Sequence, residues 1–82
     1  MIKLIVLVNK EILVSKIEEI GAGIGEPDCK LINPCKFVEE GNLSPWMLDN
    51  TDQTEFMISS DKIITIADPN KDLLDKYLKK IN

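Results

Sequence analysis

The sequence contains neither arginine nor histidine, and aromatic residues make up only 5% of it. All ten basic residues are lysines, against fourteen carboxylates, which gives a net charge of −4. The missing histidine removes the commonest general base and a frequent zinc ligand. The missing arginine removes the side chain best suited to phosphates and base edges. This composition argues against an enzyme, and it disfavours nucleic-acid binding unless the lysines cluster on one face.

Long apolar stretches are also missing. No run approaches the ~18 residues that a membrane-spanning helix needs. The apolar opening, residues 2–8, is interrupted by Lys3 and is not followed by a small-residue cleavage site. With 44% hydrophobic and 29% charged residues, the 82 residues predict one small cytoplasmic domain with no membrane partner. Self-association would add stability to so small a core.

Short, β-branched apolar segments predict a mostly β protein. Residues 2–8 indicate a first strand. Residues 12–20 favour a second strand after a turn at Asn9 and Lys10, because four of the nine are β-branched. A helix capped by Asn9 and ended by Gly21 stays the alternative for this segment.

A third strand is predicted at residues 29–39, where Pro34 marks an edge or a bulge. Cys29 and Cys35 lie on it, six positions apart, so they share a face unless a bulge at Pro34 intervenes. Two thiols without histidine cannot complete a zinc site within one subunit. We therefore expect free, buried or half-buried thiols, and neither a metal nor a cofactor.

Two further apolar runs, residues 56–58 and 63–67, lie on either side of a very short polar joint. A joint of Ser59, Ser60 and Asp61 lets one strand pass directly into the next. No base is available to activate a serine, so these residues predict a hydrogen-bonded turn rather than a catalytic site.

The clearest helix signal covers residues 69–81. Asp68 is a suitable N-cap, and Pro69 suits the first helical position. Lysines in the last turns match the helix dipole. The expected buried stripe consists of Leu73, Leu74, Tyr77, Leu78 and Ile81.

Two features remain open to more than one interpretation. The glycine-rich residues 21–28 could cradle a phosphate, but Pro27 and two acids follow instead of a helix, so a loop is favoured. The carboxylates, Asp28 among them, are expected to be solvated. Trp46 lies beside Pro45 in an apolar cluster, which favours a core or interface role over a stacking platform for a ligand.

Residues 6–20 and 56–67 resemble the two signatures of the Sm-like (LSm) family. The first looks like the opening hairpin, and the second places Ser59-Ser60-Asp61 where the family has Arg-Gly-Asp/Asn. The words LINPC, LSPWM and FMISSDKIITIADP are similar to small Sm-like proteins of marine cyanobacterial tailed phages. The resemblance implies one Sm-like domain over residues 1–82: a strongly bent, SH3-like, five-stranded antiparallel sheet or barrel with a C-terminal α-helix.

The resemblance also implies a non-enzymatic protein that forms a homo-oligomeric ring of about five to seven subunits. In that fold, strand four of one subunit pairs with strand five of the next. Left unpaired, such hydrophobic strands without proline are prone to aggregate. The interface expected on this basis consists of Phe56, Met57, Ile58, Ile63, Ile64, Thr65 and Ile66.

Single-stranded RNA is a second partner that the resemblance implies, and a protein partner is the alternative. The family's base-contacting arginine is replaced by Ser59, so RNA regulation or chaperoning is kept as an alternative function. The candidate RNA contacts are Lys30, Asn33, Ser60, Asp61 and Lys62.

Overall fold

The computed structural model describes the backbone of all 82 residues and every side chain except that of Glu40. It consists of six strands and a C-terminal helix. The elements are β1 (Ile2–Leu7), β2 (Ile12–Glu19), β3 (Cys29–Phe37), β4 (Leu43–Pro45), β5 (Glu55–Ile58), β6 (Ile63–Ala67) and α1 (Lys71–Ile81). Single 3₁₀ turns lie at Glu39–Gly41 and Ser60–Lys62. No helix of the described chain is long and apolar enough to cross a membrane.

The strands form one antiparallel sheet in the order β4-β3-β2-β1-β6, and β5 also pairs with β3. The mostly β prediction is confirmed, but the number of strands is six rather than five. The extra strand is β4, which occupies the end of β3 that β5 leaves free. Within the described chain no ladder joins β5 to β6, so the sheet is open.

The second segment is a strand, as predicted. β1 and β2 form a hairpin in which Ile5 pairs with Leu13 and Val6 with Ile12. Its turn is closed by a hydrogen bond from the Leu7 amide to the Glu11 carbonyl. A strand is favoured over a helix in this segment, although the apolar spacing fits both. The reason is that β2 pairs along both of its edges, which satisfies its backbone N–H and C=O groups.

A bulge divides β3 into two halves. Val14 pairs with Cys35 and Lys16 with Ile32, so Ser15 alone faces the two residues Asn33 and Pro34. The bulge expected at Pro34 is therefore confirmed. Because side chains alternate along a strand, the extra residue places Cys29 and Cys35 on opposite faces of the sheet.

The two faces carry separate apolar clusters. The inner cluster consists of the buried side chains Ile5, Leu7, Leu13 and Leu31, with Ile17, Trp46, Ile58 and Ile63 packed against it. The helix cluster consists of Val14, Cys35, Leu43 and Tyr77, with Ile2, Leu73 and Ile81 packed against it. The helix covers one face, whereas the other face remains partly open between β5 and β6.

The helix begins later than the sequence suggests. Its N-cap is Asn70, whose side chain accepts a hydrogen bond from the Leu73 amide at 2.9 Å, and Asp68 instead pairs with Lys3. The prediction of Asp68 as the cap is wrong because a long-range ion pair uses its carboxylate. The buried stripe is also narrower than predicted, since Leu78 is 36% exposed.

Candidate assembly edges and adjoining pockets

Strands β5 and β6 each have one edge that pairs with nothing in the described chain. β5 pairs only with β3, and β6 pairs only with β1. Both strands expose apolar side chains: Met57 is 52% exposed, Ile64 60% and Ile66 48%. Unpaired edges with exposed apolar side chains are templates for pairing with another chain.

The expected interface residues divide into two groups. Ile58 and Ile63 pack against the inner cluster, and Phe56 contacts Trp46 edge to face at 5.3 Å between ring centroids. These three side chains stabilise the subunit's own core. The residues left on the surface for contact with another molecule are Met57, Ile64, Thr65 and Ile66.

An open groove of about 730 Å³ runs beside the β6 edge. Its apolar walls include Ile17, Ile63 and Ile66, and Cys29 also lines it. Ile66 pairs with Ile5, so it lies on the same face as the inner cluster. The groove therefore continues the inner cluster outward to the exposed edge.

The joint between β5 and β6 is held by Asp28, which the sequence predicts to be solvated. The Asp28 carboxylate accepts hydrogen bonds from the Ser60 hydroxyl and the Ser60 amide, both at 2.7 Å. The hydroxyl bond is the main reason that the pKa of Asp28 lies below its usual range. Asp28 and Ser60 are far apart in the chain, so no local pattern could have predicted the contact.

The loop after β2 and the joint together form an acidic surface, which we call the loop surface. The open pocket on this surface has a volume of about 360 Å³. Its lining residues are Ala22, Gly23, Ile24, Gly25, Glu26, Asp28, Ser59, Ser60 and Asp61. Three of these residues are carboxylates. The loop itself has no helix at its end, as predicted.

The candidate RNA contacts are not brought together. Ser60 and Asp61 lie on the loop surface, and Lys62 is the last residue of the 3₁₀ turn between β5 and β6. Lys30 is ion-paired with Glu55 at 2.8 Å, which raises its pKa. Asn33 lies in the bulge of β3, where its backbone amide donates to the Thr54 carbonyl.

A second concave region lies at the bulge. The cavity encloses about 200 Å³, and we call it the aromatic cavity because Trp46 and Phe56 line it. The Trp46 indole N–H donates to the Glu11 carboxylate at 3.0 Å, which fixes the indole in place. The sequence predicts a core or interface role for Trp46; it packs on the inner cluster but is only partly buried, so that it also lines this cavity. Its other neighbours in the cavity are Asn33, Pro34, Cys35, Pro45, Gln53, Thr54, Lys80 and Ile81.

A shallow groove next to it lies between α1 and β4. This lysine groove encloses about 410 Å³ and is lined by Asn42, Leu43, Lys76, Lys79 and Lys80. Lys80 lines both the groove and the aromatic cavity. Among the side chains that the structure describes, no carboxylate lines the groove. The three lysines occur at helical spacing and so share one side of α1.

The two cysteines are buried and unbridged, as predicted. Burial raises the pKa of both thiols, and the charge of Lys80 partly opposes this for Cys35. Thiols held protonated in this way are weak nucleophiles. Among the side chains that the structure describes, no three Cys, Asp or Glu residues gather as a metal site.

The comparisons with known proteins give a family but no activity. The model of DUF6561, a family of unknown function, matches residues 1–82. No curated protein matches the chain. Because the match covers the full length of the sequence, the chain belongs to the DUF6561 family.

Proposed function

We propose that this protein is a non-enzymatic, Sm-like assembly protein whose working form is a closed homo-oligomeric ring. The observation that carries the proposal is the pair of free edges on β5 and β6. In the ring, β5 of one subunit pairs with β6 of the next. A head-to-tail contact of this kind closes when the rotation between subunits divides evenly into a circle.

The chemistry of the two edges supports this pairing. Met57, Ile64 and Ile66 are exposed in the single subunit. Burying such side chains is worth roughly 25 cal/mol per Å² of apolar surface. The groove beside β6 would receive side chains from the neighbour's β5, so the inner cluster would continue across the contact.

Two further observations support a non-enzymatic role and a viral source. The chain has no histidine, and the buried thiols are held protonated, so an activated nucleophile is not available at either kind of residue. The sequence words LINPC and FMISSDKIITIADP support an origin in a tailed phage. The first partner that we propose is another copy of the same chain.

RNA on the loop surface is the weaker alternative. The resemblance to Sm-like proteins implies that a base would be held here. In this chain, however, Glu26, Asp28 and Asp61 would repel the phosphate backbone. We therefore expect oligo-U and oligo-A to leave the loop surface unoccupied even at about 50 mM salt, where phosphate contacts are strongest.

The ring is tested by size-exclusion chromatography with light scattering. We expect the wild-type protein to elute as one species at a multiple of the 9.2 kDa subunit mass. Ile66→Lys places a charge on the β6 edge and should shift the protein to the monomer. Leu78→Lys is the matched control, because it adds the same charge at an exposed apolar residue of α1. A wild-type monomer at micromolar concentration would overturn the proposal.

A further inference from the structure

The aromatic cavity and the lysine groove adjoin each other at the C-terminal end of α1. Lys80 lines both of them. One part is walled by Trp46 and Phe56, and the other is walled by three lysines. A cavity with aromatic walls beside a groove lined by lysines suits a ligand that joins an aromatic ring to an anionic group.

We propose that this region binds an aromatic ring that carries a phosphate, such as a mononucleotide. The ring would enter the aromatic cavity, and the phosphate would lie over Lys79 and Lys80. This site lies within one subunit, so it goes beyond the proposed ring and does not depend on it.

The size of the cavity sets the size of the ligand part that enters it. At about 200 Å³, it is smaller than the roughly 300–1,000 Å³ of pockets that enclose drug-sized ligands. It therefore has room for one ring system and not for a sugar and phosphate as well. Those parts would occupy the adjoining lysine groove of about 410 Å³.

The cavity offers both stacking and polar contacts. Aromatic side chains hold flat bases at about 1–3 kcal/mol for each stacked base. Trp46 is pre-positioned by its hydrogen bond to Glu11, so little side-chain freedom would be lost on binding. Asn33 and Gln53 at the cavity wall carry side-chain amides of the kind that pair with the edge of a base, although the Gln53 amide nitrogen also donates to the Glu55 carbonyl.

The groove supplies the positive charge. Lys76 donates to the Gly41 carbonyl at 3.3 Å, which holds one side of the groove against the turn before β4. The C-terminal end of α1 carries a partial negative charge of about half an electron, but Lys79 and Lys80 lie in the same turn and outweigh it. In a chain with a net charge of −4, an anion is most favourably placed here, away from the acidic loop surface.

Binding is tested by calorimetry and by the NMR signal of the indole N–H of Trp46, the only tryptophan in the chain. Adenosine and uridine 5′-monophosphates should bind and shift this signal. The matching nucleosides, which lack the phosphate, should bind at least about fivefold more weakly, as expected for loss of a charge-assisted contact. A single-stranded oligonucleotide of the same base shows which natural ligand the site takes. If it binds more tightly than the mononucleotide, the ligand is a nucleic-acid strand. If it binds equally or more weakly, the ligand is a free nucleotide.

Variants then locate the site without disturbing the core. Lys80→Gln should weaken mononucleotide binding at least about fivefold. Lys71→Gln, which removes the same charge from the first turn of α1 outside the groove, should change it less than about twofold. The proposal is overturned if no mononucleotide binds at millimolar concentration, if nucleosides bind equally well, or if both variants behave alike. It is also overturned if inorganic phosphate or an acidic peptide binds as tightly as the mononucleotide, because the aromatic cavity would then play no part. None of these outcomes bears on the oligomeric state, which light scattering measures separately.

Discussion

At the scale of single residues, the hairpin between β1 and β2 contains a lysine in an unusual backbone conformation. Lys10 has a φ of 72°, in the left-handed region that glycine adopts without cost. A residue with a Cβ atom pays roughly 1–2 kcal/mol to stay there. Its amide donates to the Leu7 carbonyl at 2.8 Å, so the conformation is fixed by the turn.

Replacing Lys10 by glycine should therefore stabilise the protein. We expect Lys10→Gly to raise the free energy of unfolding by about 0.5–1 kcal/mol, less than the full strain because glycine gains entropy in the unfolded chain. Urea unfolding measures the change. Lys10→Ala serves as the control, because alanine keeps the strain; an equal gain in both variants would contradict the explanation.

Asp28 makes the stability of the protein depend on pH in the acidic range. Its folded-state pKa is lowered by the bonds from Ser60, so its stabilising contribution is fully present above the unfolded-state pKa of about 3.9. That contribution is lost as the pH falls through the lower folded-state pKa. The joint between β5 and β6 should therefore weaken below about pH 4.

We expect the difference in unfolding midpoint between pH 7 and pH 3 to be smaller in Asp28→Asn than in the wild type. The asparagine cannot lose a charge, so the variant should already be less stable at pH 7 and should change less on acidification. Urea unfolding at the two pH values measures this. Asp49→Asn, at an exposed position, should behave as the wild type does, and an identical decrease in all three proteins would exclude Asp28 as the cause.

At the scale of elements, α1 is joined to the sheet by one buried tyrosine. The Tyr77 hydroxyl lies 2.9 Å from the Asn33 carbonyl and 3.1 Å from the Ile32 carbonyl, and it accepts from the Lys16 amide. These groups lie at the bulge of β3, where the Ile32 carbonyl also accepts from the Ser15 hydroxyl at 3.1 Å. The helix therefore adds a hydrogen-bond partner for backbone groups at the bulge.

Tyr77→Phe should cost about 1–3 kcal/mol of stability, because the Lys16 backbone amide would lose its acceptor, while the Ile32 carbonyl would keep the Ser15 hydroxyl as a donor. The ring would still fill its place, so the loss reports on hydrogen bonding rather than on packing. Thermal or urea unfolding measures it. Leu78→Ala on the exposed side of α1 should cost much less, and equal costs would mean that the hydroxyl contributes nothing.

The sequence predicts most elements but not the contacts between them. Apolar, β-branched runs identify the five longer strands and the helix, because each has a local periodicity. The three-residue β4 ends in Pro45 and is too short to have a period. The Asp28–Ser60 contact and the Lys3–Asp68 pair join distant segments, so only the folded chain brings them together. The same pair displaced the helix cap from Asp68 to Asn70.

At the scale of the whole molecule, the open sheet links stability to concentration. If β5 and β6 pair between subunits, the folded subunit is stabilised by mass action while the unfolded chain is not. We expect the thermal unfolding midpoint to rise by several degrees Celsius over a hundredfold increase in wild-type concentration. Calorimetry or circular dichroism measures it.

Ile66→Lys provides the comparison, since its midpoint should stay constant over the same range. A wild-type midpoint that does not change with concentration would indicate that folding is complete within one subunit. Circular dichroism also tests the fold. Because α1 covers only 11 of the 82 residues, the helical contribution to the spectrum should be small.

The bulge that turns Cys29 and Cys35 to opposite faces also gives the molecule two independent chemical reporters. Cys29 is 5% exposed beside the open edge of β6, and Cys35 is 2% exposed beneath α1. Because so little of either side chain is exposed, the reaction of each thiol with a reagent should depend mainly on opening of its own side of the sheet. The modification rate of Cys29 therefore measures separation of the edges, and that of Cys35 measures lifting of the helix. Single-cysteine variants would show, residue by residue, which half of this small protein opens first.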